Sequence, residues 1–186
     1  MERYYYHGIE TYSDEEASCL ETMITIIKSG AIKTSNNITG KNVEGMNHIC
    51  LFKKNDEFDY EHREFGSDPM SALDAWIGCG VVFIISPDIN AYKPVYKAAY
   101  NRQNGETNIV DEWRIDEDIP LEKIVGLALP FDIINDEAEY NKVWAEKLQQ
   151  LLIIAKEYGW MVVDSGDVHF TDKLDNELDK KKHQLD

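Results

Sequence analysis

Positive charge is scarce in this chain. Nineteen Lys and Arg face 35 Asp and Glu, giving a formal net charge of −16 over 186 residues. Nucleic acid is repelled by such a surface unless a local basic patch intervenes. The lysines and arginines are scattered, and the one run, Lys180-Lys181-Lys182, sits in a mixed-charge tail. Direct nucleic-acid binding is therefore not expected. Also missing is any apolar run near the roughly 18 to 20 residues of a membrane span. Glu2 and Arg3, followed by tyrosines, do not make a signal-peptide pattern. The expectation is a cytoplasmic chain without a membrane partner.

Cysteine is sparse, and Cys19, Cys50 and Cys79 fall in no metal or redox spacing. An odd, widely spaced set argues against a disulfide framework and fits a reducing compartment. His48 and Cys50 lie two apart on a strand pattern, with His62 as a third ligand to consider. Zinc sites carry denser Cys and His sets than this, so no metal is expected. Gly78-Cys79-Gly80 precedes a strand pattern but opens no helix, so no dinucleotide or Walker phosphate loop is present. Cys19, placed inside a helix pattern, has no partner that would make it a nucleophile.

What the chain does contain is alternating strand and helix signals with no repeat or linker dividing them. Residues 4–9 are aromatic and strand-like. Ser13 and Glu16 form a capping-box signature, Ala17, Leu20, Ile24 and Ile27 recur at helical spacing, and Gly30 is a stop. Asn47–Lys53 and Val81–Ser86 read as strands, and Asp68-Pro69 opens a short helix through Trp76. Ile109–Ile115 and Ile124–Leu129 read as strands around an acidic turn. A long helix follows, capped by Asn135 or Asp136, with Trp144, Leu148, Leu151, Leu152 and Ala155 as its apolar face and Gly159 as its end. Trp160–Asp164 reads as a last buried strand. The expected fold is a single α+β domain, with mostly antiparallel mixed sheets and about three helices, over residues 1–170. Residues 171–186 read as a charged tail, a frayed helix or disordered.

Two stretches carry chemistry. Tyr4-Tyr5-Tyr6-His7-Gly8 ends a strand in a histidine and a glycine, and the glycine lets a ligand approach the backbone. Asp111-Glu112-Trp113-Arg114 sets Glu112 and Arg114 on one strand face, with Asp111 and Trp113 on the other. A solvated strand face is the ordinary reading of that pair. The functional one turns Glu112 into a cleft, where its charge stabilises a developing oxocarbenium.

The order of these pieces resembles the ADP-ribosyltransferase superfamily, in particular its His-Tyr-Glu branch, which is diphtheria-toxin-like and poly-ADP-ribose-polymerase-like. The resemblance spans roughly residues 4–130 in short motifs. They are strand-His7-Gly8, a helix into Ile26-Ile27-Lys28-Ser29-Gly30-Ala31-Ile32, the strand Asn47-His48-Ile49-Cys50-Leu51, and the Glu112 strand into Ile119-Pro120-Leu121-Glu122-Lys123-Ile124-Val125-Gly126. The resemblance implies NAD as substrate. His7 would hold a ribose hydroxyl, Gly8 would pair with the nicotinamide carboxamide, and Glu112 would be catalytic. A tyrosine would stack on the nicotinamide ring: Tyr60 first, with Tyr92 and Tyr96 behind it. Phosphate neutralisation would fall to Arg63, Arg102, Arg114 or Lys33. Val110 stands two residues before Glu112, where the arginine-modifying branch carries Glu or Gln, which argues against that branch. The resulting expectation is a transferase or NAD glycohydrolase with an acceptor that leaves no mark in the sequence. The competing expectation is a non-catalytic acidic protein that engages a basic partner or mimics nucleic acid.

Overall fold

The structure is a computed structural model that describes residues 2–11, 17–34, 37, 47–58, 60, 71–73, 80–94, 110–167 and 169–183. The Ser13–Glu16 capping box, Asp68-Pro69, His62, Arg63, Cys79, Tyr96 and Arg102 lie outside the described residues.

Eight strands and four helices follow one another in these parts. They are β1 (Tyr5–Thr11), α1 (Ser18–Ser29), β2 (Ala31–Ile32), β3 (Ile49–Phe52), β4 (Gly80–Ile85), β5 (Glu112–Ile115), β6 (Ile119–Pro120), a 3-10 turn (Leu121–Lys123), β7 (Ile124–Leu129), α2 (Phe131–Tyr140), α3 (Lys142–Tyr158), β8 (Met161–Asp164) and α4 (Phe170–His183). Six strands form one sheet in the order β5-β3-β1-β4-β7-β8, and β2 pairs with β6 in a separate ribbon. Every neighbouring pair in the large sheet is antiparallel except β7 and β8. The mixed, mostly antiparallel single domain matches the sequence expectation.

Period-two alternation divides the sheet's side chains between two cores. Tyr5, Leu51, Phe83 and Leu127 face one side, where Leu20, Met23, Ile24 and Ile27 of α1 and Trp144 and Leu151 of α3 cover them. Tyr6, Phe52, Val82 and Ile84 face the other, under Leu73 and under Phe170 and Leu174 of α4. Each such aliphatic residue, fully removed from water, contributes about 1.5–3 kcal/mol before conformational entropy is charged against it. Gly30 (φ 86°) and Gly159 (φ 69°) hold the left-handed turns that end α1 and α3, as their positions in the sequence predict.

Three expectations change. The single helix from Asn135 or Asp136 is two helices, and both of those residues lie inside α2. Asn141 is the true N-cap of the second, its Oδ1 accepting the Val143 N–H at 3.0 Å. Leu152, assigned to the apolar face, is exposed. Helix α4 occupies most of the stretch read as a charged tail, and Phe170 and Leu174 bind it to the sheet. Asp175, near its start, accepts the Tyr4 N–H at 3.2 Å and so ties this helix to the lead-in of β1.

Candidate functional site around Cys50

His7 and Glu112 do not lie side by side. Strand β3 runs between their strands. His7 opposes Phe83 and so shares the α1 side of the sheet, because directly paired residues point the same way. Glu112 opposes Phe52 and shares the α4 side. The expectation that both side chains look into one hollow is corrected here. The pairing register between distant strands, which alternation within one strand does not reveal, puts them on opposite faces.

Cys50 on β3 joins the two. Its carbonyl accepts a hydrogen bond from His7 Nδ1 at 2.8 Å. Its thiol, on the other face, lies 3.7 Å from Glu112 Oε1. A carbonyl only accepts, so Nδ1 carries the proton and the neutral ring leaves Nε2 as an acceptor. Burial holds the His7 ring below its usual pKa, with the Cys50 bond opposing that shift.

The opening that gives His7 access to the Cys50 carbonyl comes from the ladder itself. Strands β1 and β3 pair at Tyr6↔Phe52 alone, whereas β1 continues along β4 to Thr11↔Gly80. Past Phe52 the two strands part, and His7 and Gly8 sit at the split. A β-bulge between Gly8 and Glu10 bends β1 at the same point. On the α1 side, His7 borders a cavity of about 490 Å³ whose other walls include Thr22, Thr25, Ile26, Lys33 and Asn37. That is within the range of small-molecule pockets. Of the two phosphate candidates among the described residues, Lys33 and Arg114, Lys33 lines the cavity with His7.

Glu112 is not a surface charge. It is buried, and Arg114 Nε donates to its Oε1 at 3.0 Å. Around it, Cys50 pairs across from Arg114, and Tyr92 bridges to Arg114 from outside the sheet, its hydroxyl bonded to Asp116 Oδ1 at 2.8 Å. Partial burial first, and then the Glu112 charge, push the Cys50 thiol up to about 11 and favour the neutral thiol, although the residue keeps an exposed surface. His48 is also held below its ordinary pKa, by burial and then by Arg114. Among the described residues no group of three or more His, Cys, Asp and Glu is arranged to hold a metal.

Tyr60 is anchored through its hydroxyl. Its hydroxyl donates to Asp111 Oδ2 at 3.3 Å and accepts the Asn55 N–H at 3.0 Å. Burial, and then the Asp111 charge, raise its pKa. Asp111, fully buried, also accepts Ser71 Oγ (2.6 Å) and the backbone N–H groups of Ala72 (2.6 Å) and Leu73 (3.1 Å). That cage fixes the chain entering β5, and with it Glu112. Sequence reasoning passed over Asp111 because its partners lie 38 to 51 residues upstream. Cys50 entered that reasoning only as a metal ligand, since nothing local in Ile49-Cys50-Leu51 marks it as a junction.

No family model matches the chain, and neither does any curated protein. No helix among the described residues is long and apolar enough to cross a membrane.

Proposed function

We propose that this protein uses NAD, cleaving the nicotinamide–ribose bond and passing ADP-ribose to an acceptor or to water. The supporting observation is the split between β1 and β3, where one residue, Cys50, contacts both His7 and Glu112. The bond to be broken is already activated by its cationic leaving group, so few protein groups are needed. Gly8 offers backbone at the split to the nicotinamide carboxamide. His7 Nε2, made an acceptor by the Nδ1 bond, takes a ribose hydroxyl. The cavity beside His7 receives the adenosine side, with Lys33 near the diphosphate. Glu112, kept in place by Arg114, supplies negative charge to the sugar as nicotinamide leaves.

The corrected geometry makes a specific demand. The nicotinamide end must enter the split itself, since that is where a ligand in the His7 cavity comes near the Glu112 side. Nicotinamide release and NAD binding by the full chain test the reading. Wild-type protein is expected to bind NAD and release nicotinamide. E112Q is expected to bind but lose turnover, and H7A to weaken binding. Wild-type protein that neither binds NAD nor releases nicotinamide removes the proposal.

The rival reading, an acidic protein that engages a basic partner, draws on the net charge of −16. It makes the opposite forecast: H7A and E112Q leave function intact, and reversing surface carboxylates abolishes it.

A further inference from the structure

In a chain this acidic, one cavity goes against the overall charge. A hollow of about 350 Å³ at the Phe52 end of β3 is lined by Arg3, Lys53, Lys54 and Lys93, with Trp113 at its wall and Asp56 among its acids. Four of the 19 basic residues thus line a single cavity. Arg3 is engaged with Asp56 and with the Lys54 carbonyl, and Lys54 with Asp172. Lys53 and Lys93 form no ion pair among the described residues. The Lys53 ammonium instead stands over two rings, 4.6 Å from the centre of Tyr5 and 5.2 Å from that of Trp113. Burial lowers its pKa, as expected of a cation held partly out of water, with the more distant Asp175 charge opposing the shift.

We propose that this cavity binds the phosphate group of a small phosphorylated ligand. Lysine ammonium groups act as point charges that suit a multivalent oxyanion. Their three chain segments (the lead-in to β1, the exit of β3 and the Tyr92 region) converge on a space sized for a small molecule, not a polymer. A polyanion such as nucleic acid would face the negative charge of the whole surface, whereas a small ligand inside the hollow is screened from it over about 8 Å at physiological salt. The cavity shares no lining residue with the one beside His7, so the inference stands apart from the NAD reading.

Isothermal titration of the full chain with pyrophosphate is the test. One saturable site is expected, weakened about tenfold by K93Q and about tenfold by K53Q, the scale of one charge-assisted hydrogen bond. Lys93 is exposed, so K93Q does not disturb packing and decides the matter even if K53Q melts early by circular dichroism. Absence of binding at millimolar pyrophosphate overturns the proposal. So does binding that K93Q leaves unchanged.

Discussion

Arg114 Nε donates to Glu112 Oε1 at 3.0 Å, two residues apart on one strand, and both side chains are largely withdrawn from water. A buried pair of this kind adds little net stability when intact and costs much when halved. R114A therefore takes a buried counter-charge from Glu112, and a loss of about 3–5 kcal/mol in urea unfolding is expected. E112Q keeps an oxygen in place for Arg114, and a smaller loss of about 1–2 kcal/mol is expected. Equal losses for the two variants would show that the pair is not buried as described.

Asp111 is the strongest single point in the β5 entry, with four donors directed at one carboxylate. D111A leaves those donors in a site with no replacement acceptor. Unfolding free energy should fall by about 3–5 kcal/mol. A loss under about 1 kcal/mol, the ordinary surface range, would contradict the cage.

The Cys50 thiol, pushed up to about 11 from 9.0, holds roughly a hundredfold less thiolate at neutral pH than an unperturbed cysteine. Alkylation by iodoacetamide, followed at the Cys50 peptide by mass spectrometry, should be slower by about tenfold, because the residual thiolate of a higher-pKa thiol is the better nucleophile. E112Q should speed it, because the neighbouring negative charge is gone. Wild-type Cys50 reacting as fast as free cysteine would contradict its placement beside Glu112.

Burial, chiefly, raises the Asp175 carboxyl to about 6, while the Tyr4 N–H works the other way. A carboxyl with a higher pKa when folded binds its proton more tightly in the native state. Its contribution is full below the ordinary value of 3.8 and is lost as pH rises through about 6. D175N should thus match wild type near pH 3.5 and gain on it by about 2–3 kcal/mol by pH 7. A difference that stays flat with pH would count against this placement of Asp175.

Local signals in the sequence were reliable where the structure depends on neighbours. Ala17, Leu20, Ile24 and Ile27 are all buried, Gly30 and Gly159 end their helices, and the run from Val81 is the central β4. The break between α2 and α3 was harder, because helix-compatible residues flank Asn141 on both sides and only its capping bond marks the boundary. The face assignment of Glu112 and Arg114 within β5 was readable from alternation. Its relation to His7 was not, since it depends on Phe52↔Glu112 and His7↔Phe83, pairings made across about 60 and 75 residues. The charged helix α4 was obscured for a similar reason: Phe170 and Leu174 are too few to show a stripe, and their burial depends on a sheet made from the rest of the chain.

The docking of α4 beside β1 has a consequence for how the chain is made. Tyr4 and Tyr6 leave the ribosome ahead of the rest of this fold, and the residues that roof them, Phe170, Leu174 and Asp175, are translated about 165 residues later. Contacts so far apart in sequence form slowly. During synthesis the N-terminal tyrosines must therefore wait with their α4-side faces uncovered, and that half of the interior can close only after residue 175 has emerged.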